Sequence, residues 1–449
     1  MYSKAMQDFL EKNGIGIGDI IKAEDHGSVI EGELMPGTEA NAPNVLVVKL
    51  KNGYNVGVKP SKTKVTKVTA SAKKELTFPT AKLKQKEDLP KVALLYTGGT
   101  IGSKVDYKTG GVYMLLKPEE LFYEVPELSG IASISVKALF SISSEDMSYI
   151  EWQRIADEAA QAVKGGARGV VVTIGTDTMH YASAALSFML KDLDAPVVLT
   201  GAQRSGDRGS SDAFLNLICA ARLAAEADIA EVGICMHATS SDDKCAFMRG
   251  TKVRKMHTSR RDAFKPVNCK PIAELGATGE IKYVGKHRKI SPAAKAKDAA
   301  AMPAFEQKVA LVKAYPNSTP DIITYYADKG YKGIIIEGTG LGHTPVSTEH
   351  EGKSWLPAIK DAVGRGIIIG MTSQCLYGRV NTSVYRNLRL LSDAGVVYCE
   401  DMLPETAYVK LGWLLGNYGA AKAKEMLSKD VAGEITERNE YDDFTDEVL

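Results

Sequence analysis

Two stretches of this chain run from an apolar strand straight into a glycine turn that ends in hydroxyl and carboxylate side chains. The first is Val92-Ala93-Leu94-Leu95-Tyr96, followed by Thr97-Gly98-Gly99-Thr100-Ile101. The second is Val170-Val171-Val172-Thr173-Ile174, followed by Gly175-Thr176-Asp177-Thr178-Met179. A short apolar run bounded by turn signals reads as a buried strand. Adjacent glycines admit backbone conformations closed to other residues and leave room for a ligand. In a parallel sheet the carboxyl ends of the strands open on the crevice where α/β proteins bind ligands. Two such ends side by side would aim Thr100, Thr176 and Asp177 into one cleft, with a threonine there as a candidate nucleophile. Taken alone, either stretch fits a tight turn with a solvated threonine equally well; the repetition of the design argues for a site.

The surrounding pattern is that of an α/β chain. Helices are predicted over Ile150–Lys164, Tyr181–Lys191 and Asp212–Glu226, between strands near 92–96, 169–174, 196–200 and 231–236. This is the βαβ rhythm of a parallel sheet with helices on both faces. Ser291–Ala304, rich in Ala and Lys, separates a second, smaller α/β unit with strands near Lys308–Ala314, Gly333–Glu337 and Ile367–Met371. Upstream, residues 1–12 read as a short amphipathic helix with Met6, Phe9 and Leu10 on one face. Short strands follow, including a hairpin of Val45–Leu50 and Tyr54–Val58 around Lys51-Asn52-Gly53. A small SH3-like β-barrel fits this region. The expected organisation is a barrel over 1–75, a linker over 76–90, α/β domains over 91–298 and 305–429, and an acidic tail over 430–449.

Composition narrows the function classes. The 449 residues suffice for two or three domains, and a formal net charge of +1 argues against a surface devoted to nucleic acid. A local basic patch is still open: residues 60–90 hold eight lysines against three acids. Residues 430–449 hold eight acids and one arginine, which suggests a solvated tail or a docking segment. No apolar stretch has the length of a membrane span, and Met1-Tyr2-Ser3-Lys4 lacks the apolar core of a secretion signal. The six cysteines form no C-x-x-C pair and read as buried thiols of a cytoplasmic protein. No H-E-x-x-H occurs, so a metal site is not expected. Gly352-Lys353-Ser354 lacks the earlier glycine of a phosphate loop, since Ser347 stands in its place. Gly338-Thr339-Gly340-Leu341-Gly342 reads as a loop at a domain interface, so ATP binding is not expected of this chain.

Thr97–Ile101 and Gly175–Met179 together resemble the two signature segments of the L-asparaginase and glutaminase family, T-G-G-T-I and G-T-D-T-M. The resemblance implies an asparaginase-like, two-domain parallel-sheet fold behind the barrel, and it supplies further site residues. Ser143-Ser144-Glu145-Asp146-Met147 is similar to the family's G-S-Q-D-M loop. Ser144 falls on the serine that holds the substrate α-carboxylate, and Glu145 replaces the more common Gln near the α-amino group. Gly201-Ala202-Gln203-Arg204 resembles G-A-M-R, and Arg254–Thr258 aligns with T-K-x-x-T, which puts Lys255 at the catalytic lysine. Tyr113 falls where the family keeps a tyrosine on a mobile lid.

The chemistry explains this set of residues. An amide carbon is a poor electrophile and a threonine hydroxyl a weak nucleophile, so a base must take the proton as attack occurs. A lysine serves only where desolvation or a neighbouring charge makes its neutral form accessible. By the resemblance, Asp177 would orient Lys255 as the third member of a triad orients its base. Backbone N–H groups of the glycine turns would receive the oxyanion. Thr176 would relay the proton or activate water for deacylation. Either threonine could attack first, with Thr100 favoured.

Plain members of the family begin close to T-G-G-T, whereas this chain carries about ninety residues before it. That extension closely resembles the archaeal glutamyl-tRNA(Gln) amidotransferase D-subunit family, as do Met371–Val380 and Cys399–Leu411. The resemblance implies a glutaminase that feeds ammonia to a partner, the E-subunit of the amidotransferase. The partner would use ATP and Mg²⁺ to convert Glu-tRNA(Gln) to Gln-tRNA(Gln). It further implies a homodimer core, a heterotetramer with two copies of each chain, and tRNA contacts made mainly by the partner. A free-standing cytosolic L-asparaginase with an added barrel is the alternative.

Overall fold

The computed structural model describes residues 2–25, 28–35, 37, 44–50, 55–60, 63–69, 88–99, 101, 103–105, 112–114, 125–204, 210–276, 278–291, 299–350 and 352–440. The chain forms two units: Met1–Lys82 with Gly102–Glu120, and Leu83–Ile101 with Leu121–Leu449.

The first unit opens with helix α1 (Lys4–Lys12), whose N-terminus is capped by Ser3 Oγ accepting from the Met6 amide at 3.3 Å. Met6 and Leu10 point inward and join Ile21, Leu34, Leu46, Val48 and Val58 in a small core. Five antiparallel strands follow: β1 (Ile20–Asp25), β2 (Ser28–Met35), β3 (Leu46–Lys49), β4 (Asn55–Val58) and β5 (Lys64–Thr69). Their order is β4-β3-β2-β1-β5. The expected hairpin is the β3–β4 pair, in register Val48↔Val56. The expected closure into an SH3-like barrel is not seen among the described residues, where β4 and β5 are unpaired edges. The chain leaves this unit for β6 (Lys91–Tyr96) and returns for the hairpin β7 (Ser103–Val105) and β8 (Val112–Met114).

The second unit is built on an eight-stranded sheet. Its strands are β6, β9 (Ser133–Ala138), β10 (Gly169–Thr173), β11 (Val197–Thr200), β12 (Val232–His237), β13 (Lys244–Arg249), β16 (Ala273–Gly276) and β17 (Ile281–Tyr283). A separate hairpin, β14 (Val253–Lys255) and β15 (Phe264–Pro266), lies between β13 and β16 in sequence. The sheet order is β17-β16-β13-β12-β11-β10-β6-β9, parallel from β9 to β12 and antiparallel beyond. From β6 the chain steps to β9 on one side, then starts β10 on the other. The order reverses between β6 and β10, the position at which doubly wound sheets open a binding crevice.

Helices α2 (Tyr149–Lys164), α3 (Met179–Met189) and α4 (Ala213–Glu226) cover the sheet. Helix α2 starts one residue earlier than expected because Ser148 and Glu151 form a reciprocal capping box. Helix α3 is buried nearly all round, from Met179 to Met189 with Tyr181 alone half-buried. A helix apolar on every side belongs between two layers. Its second layer comes from a smaller parallel sheet, β18 (Val309–Lys313), β19 (Gly333–Gly338), β20 (Ile368–Ser373) and β21 (Val397–Tyr398). That sheet carries α5 (Asp321–Asp328), α6 (Leu356–Gly364), α7 (Arg386–Asp393) and α8 (Pro404–Met426). Helix α8 packs on β18–β20 and on α3, with Phe188 and Trp413 stacked at 5.6 Å.

Beyond α8 the stretch expected as a solvated tail or a docking segment is folded down as far as Glu440, where the described residues end. Glu434 is fully buried against Lys410 Nζ at 2.6 Å, and Arg379 Nη2 donates to the Thr436 carbonyl at 2.7 Å. The reason lies in α8: Lys410 sits fully inside the core, and its ammonium needs a carboxylate partner. Among the described residues no helix is long and apolar enough to cross a membrane. Four cysteines are buried as expected, but Cys269 is half-buried and Cys375 exposed.

Candidate active site

The two glycine turns meet back to back at the switch point. β6 pairs with β10 in register Tyr96↔Thr173, so Thr97–Gly99 and Ile174–Asp177 leave adjacent strand ends on the same side. Thr97 Oγ1 donates to the Thr173 carbonyl at 2.8 Å and ties the turns together. Gly99 has φ +87°, and a Cβ there would lie 2.6 Å from the Gly175 nitrogen. Gly175 is needed for a different reason: a Cβ would meet Ser144 Cβ and Oγ at 2.9 Å. The glycines thus allow three segments, 97–99, 174–177 and 143–146, to converge. Thr100 lies outside the described residues.

Lys255 reaches this point from the end of β14. Its Nζ donates to Thr176 Oγ1 at 2.9 Å and to Asp177 Oδ1 at 2.6 Å. The lysine side chain is 9% exposed while that of Asp177 is 68% exposed, so the amine is sheltered and its carboxylate partner faces water. One amine thus donates to a hydroxyl and a carboxylate at once. Ser144 is buried on a short turn, Ser144–Asp146; its carbonyl accepts from Thr178 Oγ1 at 2.5 Å, and its Oγ accepts from the Thr178 amide at 3.4 Å. Glu145, next to it, is exposed. Tyr113 stands on β8, opposite Lys104 of β7, and belongs to the first unit.

Several residues near these were not singled out in the sequence. Asp212 holds the 201–204 turn, accepting from the Gln203 and Arg204 amides at 3.0 Å each. Asn216 Nδ2 donates to the Gly201 carbonyl at 3.0 Å, and its Oδ1 lies 2.7 Å from Nδ1 of fully buried His237. The sequence signal for them was a polar i, i+4 pair, Asp212 before the helix and buried Asn216 in its first turn. His180, just after the second turn, lies 4.0 Å from buried Glu405, which is itself 3.6 Å from Arg254 Nε. Burial, then Arg254 and Lys255, push the His180 pKa down to about 4. Burial pushes Glu405 up, against the pull of Arg254.

A buried neutral histidine has a stability signature. His180 titrates near 6.5 in the unfolded chain and near 4 in the folded one, so the unfolded state binds the extra proton between those values. Its contribution is present above pH 6.5 and lost as pH falls towards 4, roughly 3 kcal/mol in all. His180→Gln is expected to flatten the fall in the denaturant midpoint over this window. Equal slopes for variant and wild type would contradict it.

Among the described residues no group of three or more His, Cys, Asp or Glu side chains is arranged to hold a metal ion. The cleft offers instead a hydroxyl and a carboxylate joined through one sheltered amine, beside a glycine turn. That arrangement can move a proton and aim a nucleophile at an acyl carbon.

Residues 91–289 match the family described as Asparaginase, N-terminal; residues 308–427 match the Glutaminase/Asparaginase C-terminal domain; residues 15–68 match the GatD N-terminal domain. The glutamyl-tRNA(Gln) amidotransferase D-subunit of Pyrococcus furiosus is 51% identical over 96% of this chain and 97% of its own length. That of Methanothermobacter thermautotrophicus is 44% identical over 97% and 98%. Among solved structures, the thermostable L-asparaginase from Thermococcus kodakarensis superposes with a TM-score of 0.66 at 29% identity, over 78% of this chain and 100% of that one. L-asparaginase I from Vibrio cholerae gives the same TM-score and identity, over 78% and 99%.

Proposed function

We propose, from the premise that this chain belongs to the glutamyl-tRNA(Gln) amidotransferase D-subunit family, that it is the glutaminase component of such an enzyme. It hydrolyses glutamine to glutamate and ammonia, and a partner protein uses the ammonia to convert Glu-tRNA(Gln) to Gln-tRNA(Gln). The observation that carries the chemistry is the single amine of Lys255 shared between Thr176 and Asp177 at the switch point.

In this reading Thr100 attacks the side-chain amide carbon of glutamine while neutral Lys255 takes its proton, directly or through Thr176. Backbone N–H groups of the glycine turns stabilise the oxyanion. Collapse of the tetrahedral intermediate breaks the C–N bond, and the nitrogen leaves as ammonia with the returned proton. Water then attacks the acyl-threonine, activated by the same base, and releases glutamate. Asp177 holds the lysine, Ser144 receives the α-carboxylate, and Glu145 supplies a carboxylate for the α-ammonium. Tyr113 is the lid tyrosine. ATP and Mg²⁺ act in the partner, the E-subunit, and the working particle is a cytoplasmic heterotetramer on a homodimer core of this chain.

The test compares glutamine hydrolysis by the chain alone, with the E-subunit, and with the E-subunit plus glutamyl-tRNA(Gln). A partner that binds the closed, aligned site better than the open one raises turnover by shifting that population. Strong stimulation is expected in the third arm, and sedimentation should show two copies of each chain. Equally fast hydrolysis of asparagine by the isolated chain, indifferent to partner and tRNA, would instead identify a free asparaginase.

A further inference from the structure

The strand that carries Lys255 is gripped by one stretch of the C-terminal lobe, Asp401–Thr406. Asp401 accepts from Lys252 Nζ at 2.6 Å. Glu405 Oε1 lies 3.6 Å from Arg254 Nε. Thr406 Oγ1 donates to the Thr251 carbonyl at 3.0 Å. Thr251, Lys252 and Arg254 are therefore each held from the other lobe, immediately before the lysine that reaches Thr176 and Asp177.

The grip is itself braced by the C-terminal segment. Both Asp401 oxygens are taken by Thr436: the amide donates to Oδ1 at 3.0 Å and the hydroxyl to Oδ2. Asn439 Nδ2 approaches Oδ2 at 3.4 Å, and Arg379 fixes Asn439 Oδ1 at 2.8 Å. Asp401 and Glu405 are 4% and 2% exposed. Burying carboxylates is a poor way to glue two layers together, since apolar side chains of similar volume do it as well or better. What such pairs add is direction. The Asp401–Lys252 and Thr406–Thr251 hydrogen bonds are short and angular and fix position along a line rather than over an area, while Glu405 Oε1 faces Arg254 Nε as an ion pair without a hydrogen bond. Lys255 needs that accuracy, because its two contacts of 2.9 and 2.6 Å are lost with a shift of an ångström or less.

We propose that Asp401 and Glu405 are positioning residues for Lys255, acting through Lys252 and Arg254, with Thr436 bracing Asp401 from the C-terminal segment. The inference rests on Lys255 being the base of the glutaminase reaction. It gives the smaller lobe and residues 431–439 a part in the chemistry, although neither the two carboxylates nor Thr436 touches Thr176 or Asp177.

The experiment compares Thr436→Val, Thr436→Ser, Glu405→Gln and Lys255→Ala in glutamine hydrolysis, with the E-subunit and glutamyl-tRNA(Gln) present and the folded fraction followed by circular dichroism. Thr436→Val and Glu405→Gln are expected to lower kcat about ten-fold with KM within about two-fold of wild type. Thr436→Ser, which restores the hydroxyl, should return kcat to the wild-type value. Wild-type kcat in both Thr436→Val and Glu405→Gln overturns the proposal. So does a loss that merely follows the unfolded fraction, or a Thr436→Ser variant as slow as Thr436→Val. Turnover surviving in Lys255→Ala would mean that the base assignment itself is wrong. An inactive Lys255→Ala beside normal Thr436→Val and Glu405→Gln would remove the positioning role alone.

Discussion

Lys255→Ala is expected to lower glutamine hydrolysis by about 10³-fold or more while leaving the fold almost as stable as before. The two effects separate because of where the partners sit. The amine is sheltered, but the Asp177 carboxylate it leaves behind is 68% exposed and is solvated without cost by water. Thr100→Val, Thr176→Val and Asp177→Asn should lose activity by orders of magnitude as well. Double variants should be little worse than the singles, because members of one catalytic unit fail together. All four should still amidate Glu-tRNA(Gln) when ammonium salt replaces glutamine, provided the partner is present, since only the ammonia source is gone. Steady-state hydrolysis and ammonium-dependent amidation measured side by side decide the matter. Near-normal turnover in Lys255→Ala would sink the triad, and loss of ammonium-dependent amidation in every variant would point to a damaged complex.

Glu434→Ala should produce the largest loss of stability. The Lys410–Glu434 pair is fully buried, and the ammonium also caps α8 by donating to the Leu427 carbonyl at 3.0 Å. Removing the carboxylate leaves a buried positive charge with only carbonyl partners, which costs about 3–5 kcal/mol. Replacing both residues, Lys410→Met with Glu434→Leu, should recover part of that loss, because an apolar pair carries no charge to desolvate, although the Val431 and Ala432 amides lose the carboxylate they donate to. Urea denaturation of the two variants against wild type is the measurement. A Glu434→Ala variant within about 1 kcal/mol of wild type would mean that the segment after α8 can detach from the lobe at little cost.

Much of the fold is written locally. The apolar runs 92–96 and 170–174 become β6 and β10, and the helices expected over 150–164 and 212–226 form within a residue of their bounds. Side-chain periodicity and turn chemistry report the conformation of neighbouring residues directly, so these elements could be read one window at a time. The β9 strand and the antiparallel extension β13, β16 and β17 were not anticipated, because Ser133–Ala138 and Ile281–Tyr283 mix polar and apolar residues over three to six positions. Such short strands owe their form to the neighbours they pair with.

The site divides along the same line. The two glycine turns, their hydroxyl and carboxylate residues and, through the resemblance to a family, the place of Lys255 are legible along the chain. Packing alone makes β6 and β10 neighbours, brings Gly99 against Gly175, and closes an amine 78 residues beyond Asp177 on it. Packing likewise buries Glu434 of an acidic stretch on Lys410 and brings Asp401, 149 residues along the chain, onto Lys252. The two differ in range. Backbone preference acts over a few residues, whereas a buried charge must find its counter-charge wherever the packed layers bring one, and no local pattern encodes that partner.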